Sequence, residues 1–245
     1  MAEIDMRMIE HLQELRKRLM ITFITFIVAF AAAFLYVKDL YRLLAKDVPQ
    51  QLAILGPSDV IWVYIMIAGV FAIAATIPVA SYQTWRFVQP ALTPVEQRAA
   101  LAYIPALSIL FIVGLAFGYF VIFPMVLQFL NEMAEDNFLT FYTAEKYFRF
   151  MLHMTVPFGI LFEMPAVVMF LTKIGILNPL KLSRMRKMAY FLLVIIAVTI
   201  TPPDIVSDIL VIVPLFILYE ISITLSKWVY RKQLKTDSDE AASYF

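Results

Sequence analysis

Glu163 is a lone carboxyl inside an otherwise apolar stretch, residues 154–171, that is long enough to cross a bilayer. An acidic side chain at that depth costs roughly 2.5–3.5 kcal/mol on insertion scales. A chain keeps such a group where it meets a polar partner or a water-filled hollow, so Glu163 marks a functional surface. Pro157 and Pro165 lie on either side of it. They can kink the helix and free backbone carbonyls, which leaves open a plainer reading: a carboxyl that only hydrogen-bonds inside a bundle.

Three further clusters carry polar chemistry. The first is His11-Leu12-Gln13-Glu14-Leu15-Arg16-Lys17-Arg18-Leu19. Met8, Leu12, Leu15 and Leu19 fall on one helical stripe, and Arg7, Glu10, Glu14 and Lys17 on the opposite one, as in a helix that runs along a membrane before turning into it. By spacing alone Glu14 pairs with Lys17 or Arg18. The second is Phe87-Val88-Gln89-Pro90-Ala91-Leu92-Thr93-Pro94-Val95-Glu96-Gln97-Arg98. Its two prolines stiffen a short loop, and Glu96 falls where the next helix begins, a favourable place for an acid. The third is Thr201-Pro202-Pro203-Asp204. Neither proline can donate to a helix ladder, so the chain must break there, and Asp204 is an N-cap for whatever follows.

The elements that position these groups are membrane helices. Of 245 residues, 62% are apolar and only 16% charged, with a mean hydropathy of +0.81. A bilayer can cover that much apolar surface and a water-soluble core cannot. No cysteine is present, so thiolate metal sites and disulfides are excluded. The two histidines, His11 and His153, lack ligand spacing, and His153 has no paired nucleophile. Neither a metal site, a catalytic constellation nor a cofactor is expected, and the chain reads as no enzyme. With no phosphate loop and a net charge of +1, it has no nucleic-acid footprint either. The first 18 residues are polar and charged, unlike a cleavable signal.

At about 20 apolar residues per crossing, residues 19–37, 60–84, 99–126 and 148–171 read as spans. Residues 188–200 would cover only about 20 Å. Together with 205–225, which Asp208 and Glu220 interrupt, they read as a tight hairpin of two short helices. Glu220 lies nearer the cytoplasmic end and reads as structural. The expected fold is therefore all-α, a polytopic membrane protein with six transmembrane helices. Six spans put fifteen of the twenty lysines and arginines on the side that holds both termini. Positive-inside bias makes that side the cytoplasm. Segments 39–46 and 143–151 read as short amphipathic helices on the outer side, the first with Leu40, Leu43 and Leu44 on one face. Residues 1–236 are expected to form one membrane domain, and 237–245 a polar, disordered tail.

Taken together, the clusters resemble the TatC family, the multi-span receptor subunit of the twin-arginine protein translocase. The matching residues are His11-Leu-x-Glu14-Leu-Arg16-x-Arg18, Phe87-x-x-Pro90-Ala-Leu with Glu96-x-Arg98, Phe162-Glu163-x-Pro165, and Thr201-Pro202-Pro203-Asp204. Any one is weak, but four in the family's order, spread from about Glu10 to Arg231, are specific. The resemblance implies binding of twin-arginine signal peptides on folded cargo, with Glu14 and Glu96 as arginine ligands and Arg16, Phe87 and Arg98 as neighbouring functional positions. It implies that Glu163 faces a concave, partly wet wall and meets single-span TatA- and TatB-type partners. It also implies self-association within a complex driven by the proton-motive force in the plasma (inner) membrane. The competing reading is a proton- or ion-coupled secondary transporter using Glu163. No inverted repeat is visible, and one carboxyl without an ionisable partner at similar depth makes a poor relay.

Overall fold

The computed structural model describes residues 2–46, 52–91, 97, 101, 103–135 and 141–243. Glu96 and Arg98 lie outside them. Among the described residues the chain is helical apart from short connections, and it divides into two compact units.

The first unit comprises residues 1–108 and 141–152. Its α1, Ala2–Leu35, runs unbroken from the charged segment through the first apolar run. Two threonines inside it are harmless to the ladder because their hydroxyls donate back to backbone carbonyls, Thr22 to Arg18 at 3.1 Å and Thr25 to Ile21 at 2.9 Å. After a turn at Tyr36 comes α2, Val37–Ala45. Its packed face is Val37, Leu40, Tyr41 and Leu44, with Leu43 turned out at 63% exposure. The short amphipathic helix is where the sequence indicated, but Leu43 is not on its inner stripe. Aromatic contact decides the facing: Tyr41 lies 6.2 Å from the Tyr64 ring and 5.3 Å from that of Phe148.

The long helix α3, Pro57–Val88, starts on Gly56 and Pro57, the latter's missing N–H being no loss at a helix start. The Asp59 carboxylate accepts from the backbone N–H groups of Leu55 (2.9 Å) and Gly56 (3.2 Å). Packing of α1 along α3 is the main helix contact of this unit. At the outer side Ala53 and Thr143 form a parallel bridge, with Ala53 N–H donating to Tyr142 O (2.9 Å) and Ala144 N–H to Ala53 O (2.8 Å).

The second unit comprises residues 109–140 and 153–245. A helix α4, Tyr103–Phe117, passes through a π turn, Gly118–Ile122, into α5, Phe123–Glu135. Against it packs α6, Ala144–Phe162. A Cβ on Gly114 would sit 2.5 Å from Phe158 O, and one on Gly118 would sit 2.8 Å from Thr155 Cα. Small residues thus let these backbones touch, the packing that serves helices in lipid. Segment 143–151 is not a separate interfacial helix: it is the first turns of α6, with Tyr147, Phe148 and Met151 buried.

Glu163 forms a turn before α7, Met164–Lys173. A capped short helix α8, Pro179–Arg184, leads into α9, Arg186–Ile200, and then into α10, Ile205–Ser243. Buried Ser207, Val211, Leu215, Leu218, Ser222, Ser226 and Val229 recur at three- and four-residue steps along α10. Near its end the Ser226 hydroxyl lies 2.6 Å from that of Thr172 on α7. The backbone stays helical to Ser243, through a polar segment whose composition predicts a disordered tail. Extending an existing helix costs far less than nucleating one, and Glu240, Ala241 and Ala242 favour it.

Five helical stretches are long and apolar enough to cross a membrane: those of α1, α3, α4–α5, α6–α7 and α10. The sixth expected span, α9, has 15 residues, or about 22 Å, and falls short of that length on its own.

Candidate functional site

In the first unit the helix pair α1–α3 gathers the polar groups. Glu14 and Arg18 are one turn apart on α1, and an Arg18 Nη donates to Glu14 Oε1 at 2.7 Å. The i, i+4 pairing read from spacing is therefore present, with Arg18 rather than Lys17. The other Arg18 Nη donates across to Gln83 Oε1 of α3 at 3.3 Å, and Gln83 is buried. Arg18 is well covered, its side chain 14% exposed, whereas the Glu14 side chain is 38% exposed. Arg16 is exposed. A turn before Glu14, the His11 ring stacks on Phe87 at the end of α3. Beyond Phe87, Trp85 Nε1 donates to Gln97 O at 3.3 Å and Gln97 Nε2 to Gln89 O at 3.1 Å. These bonds hold Gln97, within the proline-stiffened segment, against the 3₁₀ turn Gln89–Ala91. An apolar groove of about 710 Å³ between α1 and α3 is lined by Leu15, Phe23, Phe26, Ala80 and Phe87, with Arg18 and Gln83 as its polar groups.

The geometry joins Glu14 and Phe87, two of the residues named from sequence, into one face. It adds Gln83, which the sequence reading passed over. A signal for it was there: Gln83 is an amide at the end of an apolar run, subject to the same depth argument as Glu163.

In the second unit Glu163 is partly covered, and its Oε1 is buried with no hydrogen-bond partner among the described residues. Pro165 follows two residues later, and the Glu163 carbonyl accepts from Val167 N–H at 3.0 Å. Its backbone is therefore satisfied within the helix, and the carboxyl is the group left over. A buried acceptor without a donor is costly unless something outside the chain supplies one.

At the outer turn Asp204 caps α10, its Oδ1 accepting from Ser207 N–H at 2.7 Å. Pro202 and Pro203 separate α9 from α10 as expected. The Thr201 hydroxyl bonds the Asp208 carboxylate across this turn. Near the opposite end of the hairpin, Glu220 accepts from Arg186 (2.8 Å) and from the Tyr190 hydroxyl (2.6 Å). Tyr219 donates to Leu182 O at 3.1 Å. The carboxylate of α10 thus fastens the start of α9 from within, the structural role its position suggests.

Among the described residues no group of histidines, aspartates and glutamates could hold a metal. Comparison with known proteins gives a consistent result. The family model for TatC, the Sec-independent protein translocase protein, matches residues 10–214. The chain is similar to the Sec-independent protein translocase protein TatCd of Bacillus subtilis, 52% identical over 238 residues, covering 97% of this chain and 98% of that one. TatC of Halalkalibacterium halodurans is 39% identical over 250 residues, covering 100% and 98%. A crystal structure of the twin-arginine translocase receptor TatC superposes with a TM-score of 0.79 at 34% identity, over 89% of this chain and 99% of that one.

Proposed function

We infer, from the premise that this chain belongs to the TatC family of Sec-independent protein translocase proteins, that it is the receptor subunit that reads twin-arginine signal peptides. It is a multi-pass membrane protein of a transport family. The observation that carries the reading is the Glu14 carboxylate, more open than the Arg18 that holds it and set beside the His11–Phe87 stack. A guanidinium presents a rigid planar fork to such a carboxylate, and an ammonium cannot copy it. Glu96, with Arg98 beside it, supplies the second carboxylate in this reading, and exposed Arg16 the nearby positive charge.

In the same reading the chain crosses the plasma membrane six times with both termini cytoplasmic, α9 and α10 being the short final pair. The bilayer beside that pair is thinned. Glu163, on a curved concave wall, takes a polar group from a TatA- or TatB-type single span, which supplies the missing donor. Assembly with those spans and with further copies of this chain then uses the proton-motive force to export folded cargo.

The decisive experiment is binding of a synthetic Arg-Arg signal peptide and its Lys-Lys counterpart to the purified protein in detergent. The expected result is a preference for Arg-Arg that disappears in the Glu14→Ala, Glu96→Ala double variant. Equal binding of both peptides by the unaltered protein overturns the reading.

A further inference from the structure

Glu14 is held from one side only. Arg18 brings it a single Nη, on Oε1, and among the described residues the second carboxylate oxygen accepts no bond. This is unusual economy for arginine, whose five N–H groups match a carboxylate two at a time. Two things account for it. The other Nη is taken by Gln83 of α3, and the Arg18 Nε is buried with no partner, so the guanidinium is not turned edge-on to the carboxylate. Gln83 can fix that orientation because it is itself buried, 8% exposed, on the packed face of α3.

We propose that Gln83 is a positioning residue: by drawing one arm of Arg18 away, it keeps the outer half of the Glu14 carboxylate open for an arriving guanidinium. The proposal rests on Glu14 being a ligand for a signal arginine. Without the Gln83 acceptor, Arg18 is free to close on Glu14 with both arms. The peptide would then have to displace a two-pronged internal ion pair rather than add to a one-pronged one. The charges on the face are the same in either state, so what changes is access and not net attraction.

The test uses the full-length protein in detergent, with fluorescent Arg-Arg and Lys-Lys signal peptides as probes and thermal melting as the folding control. Gln83→Leu is expected to weaken Arg-Arg binding by about tenfold, the scale of one charge-assisted bond. Gln83→Glu, which retains an acceptor of similar size for Arg18, is expected to bind within about twofold of the unaltered protein. The discriminating variant is Gln83→Leu combined with Arg18→Lys. An ammonium cannot close a fork on Glu14, so binding should recover most of the loss. If Gln83 only fills space, the double variant is no better than the single one, and the proposal falls. It also falls if a folded Gln83→Leu binds like the unaltered protein while that protein still prefers Arg-Arg. Loss of the Arg-Arg preference in the unaltered protein overturns the recognition reading itself, and this role with it.

Discussion

His11 of α1 stacks on Phe87 of α3, with ring centroids 4.4 Å apart and planes inclined by 27°. The two residues belong to sequence clusters more than seventy positions apart, and their contact makes one surface of them. It sets the height of the polar start of α1 against the end of α3, and with it the height of Glu14, one turn further on. Stacking of this kind contributes about 0.5–1.5 kcal/mol beyond burial. Phe87→Ala should therefore weaken Arg-Arg peptide binding by about two- to tenfold. Fluorescence anisotropy with the purified protein checks this; unchanged affinity would separate the stack from recognition.

Glu14→Gln keeps the shape of the side chain and removes its charge. Charge-assisted bonds contribute roughly 1.5–3 kcal/mol, so the affinity for Arg-Arg peptide should fall by about ten- to a hundredfold. The preference over Lys-Lys should shrink with it. Because Glu14 is partly exposed, added salt should weaken binding to the unaltered protein more steeply than to the variant. Titration calorimetry at two salt concentrations reads both effects.

Glu163→Gln supplies its own amide donor and should disturb contact with TatA- and TatB-type spans while leaving Arg-Arg binding intact. Site-specific crosslinking from positions beside residue 163 measures the first effect, and peptide binding the second. Crosslinks of unaltered pattern and yield would remove Glu163 from the partner surface.

Gly114→Ala should destabilise the protein by about 1–3 kcal/mol. Its Cβ would meet Phe158 O at 2.5 Å, Phe162 Cβ at 2.7 Å and Gly159 Cα at 2.9 Å, and two of those three atoms are backbone and cannot step aside. Gly69→Ala is the matched control, since nothing lies within 4 Å of its added methyl. In a helix interior it should be neutral or stabilising by up to about 1 kcal/mol. Thermal melting in one detergent compares the pair.

Glu220→Ala strips Arg186 and the Tyr190 hydroxyl of a shared acceptor. Both members of the ion pair are about two-fifths exposed, so screening limits the loss to about 1 kcal/mol. The melting temperature should drop modestly, with Glu220→Gln intermediate because it still accepts from both donors.

Much of this architecture was legible because apolar length is a strong signal. The runs at 60–84, 99–126 and 148–171 all lie inside long helices, and the break at Pro202-Pro203 falls between α9 and α10. The facing of short elements was harder to read. Leu43 and Leu44 are adjacent in sequence, and only the rings of Tyr64 and Phe148 decide that the stripe runs through Tyr41 and Leu44 instead. At the site, Glu14 pairing with Arg18 is local and was readable from a four-residue step. The hold that Gln83 has on Arg18 spans 65 positions and comes from helix packing, which no local spacing encodes. The six-span count turned on α9, whose 15 residues sit below ordinary crossing length, so length alone could not fix it.

The π turn at Gly118–Ile122 has a bearing on how this chain tolerates insertions and deletions. A wide turn of this kind holds one residue more than an α-helical turn, like an extra tooth on a gear. Removing a single residue there would let the helix run on as ordinary α-helix without breaking it. Everything downstream, however, would be re-clocked by about 100°. Phe123 and Val126, 5% and 0% exposed, would swing out of the packed face together. A one-residue deletion at this point would thus act as a rotation of the whole of α5, whereas the same deletion in residues 136–140, past its end, would leave that phase untouched.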